Sequence, residues 1–377
     1  MTRRTSRSKP KRLAPKAREP RPWRRAPRAR PNTPVRVEPP TRALPGPMPK
    51  TVEAPTPGRW LWTCRAGFEA PLYEELAWQR RAPRLLGPAL VESDAPEAEA
   101  PAFARMGFPV ARLAASPAEA AAALPSAPAH VQAWVPDTDA GNARSGEALA
   151  WAETIAALRQ ARGLADPPTP WKAFEAGAPL AQVCLWSAGR AAVGVVNARD
   201  AVSLSAGGRA RMKRTGEAPS RAAMKLDEAL DWYGVAPGKG EVCVDLGSAP
   251  GGWTRRLVER GARVLSVDPA QLAPDLRTHP KVKHVQQSAF DYAPDGPVDW
   301  LFCDMAWRPL EVAQLLGKWA RRRWAAQLVA NIKLPMKDKL PTVFRVRHAL
   351  VEAGWSRVKV RQLYHDRDEV TVTARRG

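Results

Sequence analysis

Long apolar runs are missing from this 377-residue chain. None approaches the ~18 residues that a membrane-crossing helix needs, so no such span is expected. Cysteine is scarce: there are four, with no Cys-x-x-Cys and no Cys/His spacing that suggests a metal site. Cys243 and Cys303 lie in apolar, strand-like runs where cysteine serves as a small core residue. A reducing, cytoplasmic setting fits that usage. The five histidines form no catalytic arrangement. No Walker sequence, no Gly-x-Ser-x-Gly and no dinucleotide fingerprint is present. Negative charge is in deficit, with 59 Lys and Arg against 37 Asp and Glu and a net charge of +22. The excess points to an acidic partner, nucleic acid before an anionic membrane surface.

That charge is uneven. Residues 1–57 hold 16 Lys and Arg against three Glu, and 14 prolines punctuate them. Such an arm buries too little apolar surface to offset chain entropy, so disorder is expected. Its role is either salt-sensitive attraction to phosphate or none. Prolines and the lack of an apolar core to the segment argue against a transit peptide or a secretory signal.

Alternating and helical patterns resume near Trp60. Strands are expected at 60–64, 130–135, 181–186 and 191–197, with helices at 68–79, 117–124 and 147–163. Residues 80–127 are rich in Ala and Pro and say little beyond an expectation of short strands. The mixture suggests one α+β module over 58–198. A basic connector follows over 199–219, with Arg209, Arg211, Lys213 and Arg214, and Arg221 lies just beyond it. These are candidate RNA contacts, and a solvated linker is the alternative.

From Glu241 the pattern becomes regular. Strands are expected at 242–246, 263–267, 282–286, 298–303, 326–332, 357–363 and 369–374, with helices at 252–260, 309–323 and 338–353. Seven strands alternating with helices predict an α/β fold over 220–377. Its sheet is open and mostly parallel, covered on both faces. Ligands of such sheets bind outside the carboxyl ends of the strands. Trp300, Trp307 and Trp324 read as core residues. A monomer is expected, since no coiled coil or large apolar face is evident.

The segment Val244-Asp245-Leu246-Gly247-Ser248-Ala249-Pro250-Gly251-Gly252-Trp253 joins a buried strand to a helix through a glycine-rich turn. Asp268 ends the next apolar run, placed to accept ribose hydroxyls. Without the pyrophosphate fingerprint the turn suits an adenosyl ligand, S-adenosylmethionine first. An ordinary structural turn is the alternative. Lys225, Asp304, Lys333 and Glu369 stand out in or beside apolar stretches. The predicted sheet makes the strands ending at Asp304 and Lys333 neighbours. A lysine-carboxylate cluster suits methyl transfer to a hydroxyl, where the protein supplies in-line geometry and removes a proton. Free lysine is neutral in only about one molecule in 2,500 at pH 7. Burial and a second cation such as Lys225 are expected to lower that barrier. Spacing alone leaves a salt-bridged structural cluster equally open.

Residues 220–374 resemble the ribose 2′-O-methyltransferases of the FtsJ type. The likeness rests on Ala249-Pro250-Gly251-Gly252, SRAAMKL at 220–226, CDM at 303–305, NIKLPMK at 331–337 and QLYHDRDEVTV at 362–372. With CRAGFE at 64–69, the last two resemble a bacterial branch that methylates a cytidine of 23S rRNA. The resemblance implies a Rossmann-like S-adenosylmethionine domain preceded by a ferredoxin-like, THUMP-type RNA-binding module. It implies Lys333 as proton acceptor, with Lys225, Asp304 and Glu369 completing the tetrad. It assigns the cofactor to Ser220, the turn from Asp245 through Gly247 to Gly252, Asp268 and Asp304. Ser288 falls where the family carries an acidic adenine contact, and Asp291 is the nearest carboxylate. His365 either touches RNA or bonds its own turn. A non-catalytic assembly factor on rRNA and a small-molecule O-methyltransferase are the competing readings. The intact tetrad argues against the first and the basic connector against the second.

Overall fold

A computed structural model describes residues 45–96, 99–210 and 220–377. Residues 1–44 of the expected arm lie outside them, as do Arg211, Lys213 and Arg214. The described part of the arm corrects its boundary. Val52 packs on a core cluster, Glu53 N donates to Leu86 O at 2.8 Å, and Thr56 N donates to Glu92 Oε2 at 2.9 Å. Ordered packing therefore begins before residue 58.

The region 58–198 holds two four-stranded sheets. Strands β1 (Trp60–Thr63), β2 (Arg84–Gly87), β3 (Leu90–Ser93) and β4 (Met106–Pro109) form an antiparallel sheet in the order β2-β3-β1-β4, alongside helix α1 (Glu69–Trp78). A second sheet has the order β5-β8-β7-β6, from β5 (Arg112–Ala114), β6 (His130–Trp134), β7 (Pro179–Ser187) and β8 (Arg190–Asn197). Its helices are α2 (Pro117–Ala123), α3 (Asp139–Asn142), α4 (Ser145–Ala161) and α5 (Pro170–Ala176). β2 to β5 all fall in the Ala/Pro-rich stretch, where short strands are expected but three or four residues carry too little periodicity for their bounds to be read. Ser116, Thr138 and Thr169 cap α2, α3 and α5, each accepting a backbone N–H three residues on.

The carboxyl-terminal half follows the expected pattern. It runs α6 (Arg221–Tyr233), β9 (Val242–Leu246), α7 (Gly252–Glu259), β10 (Arg263–Val267), α8 (Pro274–Arg277), β11 (Val282–Val285) and β12 (Val298–Cys303). Then come α9 (Pro309–Arg321), β13 (Ala325–Lys333), α10 (Lys339–Glu352), β14 (Trp355–Arg361) and β15 (Glu369–Arg376). The strand order is β11-β10-β9-β12-β13-β15-β14, with β15 antiparallel to both neighbours. β9 pairs with β10 on one side and β12 on the other, so the order reverses there. This reversal opens a crevice at the carboxyl ends.

Strand alternation sorts the core. Leu301 joins Leu316, Trp319, Val343 and Val346 in one buried cluster, whereas its neighbours Trp300 and Phe302 join Leu226, Leu230, Trp253 and Leu257 in another. Helices α9 and α10 thus cover one face, and α6 and α7 the other. The first cluster also contains Trp62, Phe68, Leu72 and Leu76 from the amino-terminal sheet and α1. Half-buried Arg361 donates to Ala104 O at 3.3 Å, to Arg105 O at 2.9 Å and to Val202 O. Gln362 N donates to Ala102 O at 2.7 Å. Apolar packing and hydrogen bonds alike join the first sheet to the last.

Candidate active site

Residues directly opposed on β13 and β15 build the centre of the site. Lys333 pairs with Glu369, and Asn331 with Thr371, in the strand register. A period of two puts all four on one face, the face that α6 covers. Lys225 arrives from α6. Its Nζ and that of Lys333 each contact one oxygen of Glu369, so the carboxylate bridges two ammonium groups. Asp304 follows β12, its Oδ1 accepting Asn331 Nδ2 at 3.2 Å. All four residues of the expected tetrad therefore meet. The side chains of Lys225 and Glu369 are 9% and 4% exposed, against 34% for Lys333. Only Lys333 is well placed to meet an incoming substrate.

The electrostatics correct one expectation. Burial alone would lower Lys333, but the hydrogen bond and charge of Glu369, with the charge of Asp304, outweigh it and raise the amine above its ordinary value. Burial would raise Glu369, yet the bonds and charges of Lys225 and Lys333 hold it below the usual carboxylate range. Asp304 moves up, because burial exceeds the opposing pull of the two lysines. The second cation does not depress Lys333, because the carboxylate between them dominates.

The glycine turn follows β9, the strand that pairs with β12 and so lies beside Asp304. Gly247 has φ +73°, and a Cβ there would meet Met305 Cγ at 2.5 Å. The turn is thereby held against the residue that follows Asp304. A Cβ on Gly252 would lie 2.8 Å from Ala222 Cβ and 3.2 Å from Ser220 Oγ, so the start of α7 lies against the start of α6. Ser220 caps α6, its Oγ accepting Ala223 N at 3.2 Å. Asp268 reaches the turn from the end of β10: Oδ2 accepts Ala249 N at 3.1 Å and Oδ1 accepts Ala270 N at 2.8 Å. Pro250 O accepts Ala273 N at 2.9 Å. Asp245 is buried, and its Oδ2 accepts Thr254 Oγ1 at 2.7 Å. Burial pushes its carboxyl up to about 7 in spite of that bond. It ties strand to helix under the turn.

Other candidates divide. Ser288 Oγ accepts Phe290 N at 3.2 Å, closing a local turn. Its oxygen is engaged and it carries no charge, unlike a carboxylate. Asp291 N donates to Ser288 O at 3.2 Å, which fixes that loop. Arg221 is exposed on the first turn of α6. Arg209 contradicts its assignment to RNA. It is 8% exposed, donating to Asn142 Oδ1 at 2.7 Å and Val135 O at 2.9 Å, and so belongs to the framework of the second sheet. Gly207 and Gly208 beside it are buried too, so this described part of the connector is packed where charge and glycine content suggested an open loop. Trp300 is core as expected, but Trp307 is 51% exposed. Its Nε1 donates to Glu311 Oε2 at 2.6 Å and its ring tilts on Phe290 with centroids 5.7 Å apart. The His365 ring does not bond its own turn: Nδ1 lies 2.7 Å from Glu228 Oε2 on α6, which also accepts His365 N at 2.9 Å. Asn331, Thr371 and Asp366 were not anticipated. The signal for Asn331 was an amide inside an apolar strand, where a buried polar group needs a partner.

A model of the FtsJ-like methyltransferase family matches residues 218–333. The chain is 36% identical over 341 residues to a ribosomal RNA large subunit methyltransferase M of Halorhodospira halophila, covering 84% of this chain and 96% of that one. The chain belongs to the large subunit methyltransferase M family. A second family member, from Alkalilimnicola ehrlichii, is 35% identical over 84% of this chain and 94% of its own. Among solved structures, a fibrillarin pre-rRNA processing protein of Methanococcus jannaschii is similar at 17% identity. It covers 44% of this chain and 82% of that one, with a TM-score of 0.36.

As a member of this family the chain is an rRNA methyltransferase, and its methyl donor is S-adenosylmethionine. The residues present fit that donor. Gly247 and Gly252 let the turn pack directly on Met305 and on the start of α6, Ser248 Oγ is buried with no partner, and Asp268 and Asp304 stand at the strand ends as carboxylates for a cationic ligand. Among the described residues, no group of three or more His, Cys, Asp and Glu is placed to hold a metal. None of their helices is long and apolar enough to cross a membrane.

Proposed function

We propose that this methyltransferase acts on the ribose 2′-hydroxyl of a cytidine in 23S rRNA, with Lys333 as the proton acceptor. The observation that carries this reading is the bridged pair of lysines, of which Lys333 alone has substantial access to solvent. The donor supplies an electrophilic methyl group on a sulfonium, so the remaining task is to hold an alcohol in line and take its proton. As the C–O bond forms and the C–S bond breaks, the hydroxyl proton passes to Lys333 Nζ. Glu369 orients both amines, and Lys225 fixes Glu369. Asp304 and Asp268 face the donor with Ser220 and the turn Gly247–Gly252, and Asp245 supports that turn from below. A sulfonium beside the cluster adds positive charge and thereby favours the neutral amine that a base requires.

The two amino-terminal sheets, over about 58–198, are assigned to gripping rRNA as a THUMP-type module, with 199–219 as connector and 220–377 as the transfer domain. Arg221, Arg211, Lys213 and Arg214 are assigned to phosphate contacts, and the cytoplasm is the setting this chemistry suits.

The test is transfer of labelled methyl from S-adenosylmethionine to unmodified 23S rRNA by wild type and Lys333→Ala in parallel, followed by nucleoside analysis. The expected outcome is 2′-O-methylcytidine from wild type and a loss of roughly a hundredfold or more in the variant. Label in a base, or full activity without Lys333, would overturn the reading.

A further inference from the structure

Behind the tetrad lies a second, wholly buried set of polar side chains. Asn331 and Thr371 face each other one pleat inward from Lys333 and Glu369. Asn331 Oδ1 and Thr371 Oγ1 lie 3.0 Å apart, and Thr371 Oγ1 lies 3.0 Å from Asp366 Oδ2. The same Asp366 oxygen accepts Leu363 N at 2.9 Å. At the other end, Asn331 Nδ2 donates to Asp304 Oδ1 at 3.2 Å. Asn331, Thr371 and Asp366 are all at most 1% exposed.

Counting protons fixes the direction of this chain. Asn331 Nδ2 faces Asp304 and its amide oxygen faces Thr371, the orientation that a carboxylate ionised opposite a cationic donor requires of its neighbour, since it only accepts. The amide oxygen takes the single proton of the Thr371 hydroxyl. Thr371 Oγ1 then offers a lone pair to Asp366. Two buried acceptors 3.0 Å apart with no proton between them would each bear the cost of an unmade hydrogen bond.

We infer that Asp366 is held as a neutral carboxylic acid that donates to Thr371, so that Asp366, Thr371 and Asn331 form one directed chain of hydrogen bonds positioning Asp304. Burial supports this state, pushing Asp366 well above the usual carboxylate range. The charges of Glu228 on α6 and Glu369 on β15 act in the same sense, against the bond from Leu363 N. Lys333 is the cation that faces it. Asp366 lies in the turn between β14 and β15, so the turn that delivers Glu369 also orients Asp304. The inference rests on Asp304 belonging to the transfer site.

Infrared difference spectra of wild type against Asp366→Asn at neutral pH test the protonation directly. A carbonyl stretch of a protonated carboxyl, present in wild type and lost in the variant, is expected. Its absence overturns the inference. Thr371→Val, isosteric but without a proton to give, is expected to lower kcat by about tenfold or more with both KM values kept, and Thr371→Ser to restore it. A kcat for Thr371→Val equal to wild type also overturns it. Should Lys333→Ala retain full transfer, the tetrad reading falls, while the infrared band still decides the state of Asp366.

Discussion

Lys333 meets opposing demands at the scale of a single residue. Glu369 orients it and, by the same contact, holds its proton. Because its pKa is raised, the neutral amine is a minor species at neutral pH and grows about tenfold for each pH unit below that pKa. The rate of transfer is therefore expected to climb with slope near one from neutral into alkaline pH, measured as single-turnover rates with saturating donor. Glu369→Gln should move that limb to lower pH. Its stability sign runs the other way. Glu369 is held low, so its ion pairs stabilise the fold above the ordinary carboxylate range, and this is lost as pH falls through the folded value. Trp307 is the second residue with a consequence. Its exposed ring is pinned by Glu311 and Phe290 three residues beyond Asp304, a platform suited to stacking a nucleobase. Trp307→Ala is expected to raise KM for rRNA several-fold with KM for the donor unchanged, a stacked base being worth about 1–3 kcal/mol.

Elements show which parts of the structure were legible. β9, β10 and β12 match the sequence reading at both ends, because each is a buried apolar run closed by Gly, Asp or a turn. Their order could not be read from periodicity, but parallel strands joined by helices have few arrangements, and the neighbours Asp304 and Lys333 followed. The bridging of two lysines by one carboxylate was not legible. It depends on α6 reaching β15, a contact between residues 144 positions apart. Nor was the role of α1 legible. Glu75, on what looks like an ordinary amphipathic helix, is buried and accepts Ala102 N at 2.8 Å and Phe103 N at 3.3 Å. Burial pushes it up to about 7 despite those bonds. The folded state thus keeps a proton that the unfolded chain releases above about pH 4.5, so this group's contribution falls as pH rises towards 7. Denaturant titrations at pH 5, 6 and 7 should show a decline in stability that Glu75→Gln flattens.

Across the whole molecule, the shared core is the decisive feature. Phe68, Leu72 and Leu76 lie in the same cluster as Val343 and Val346. Trp78 packs edge-on against Phe344 of α10 with centroids 4.3 Å apart. Chains whose domains are joined only by a linker unfold in steps, whereas shared packing couples the transitions. The first sheet and the transfer domain are therefore expected to melt together. Near-ultraviolet and far-ultraviolet signals should coincide, with equal calorimetric and van't Hoff enthalpies. Separate transitions would show that the joint is weak.

Arg361 stands at that joint, its guanidinium spread over three carbonyl oxygens of the amino-terminal half while its strand leads into the turn before Glu369. A guanidinium so used works as a rivet. On the proposed function, the grip on RNA would be riveted to the base that takes the proton, and the enzyme would be a caliper of fixed opening, selecting its nucleotide by how far that ribose lies, along folded rRNA, from the feature the other jaw holds.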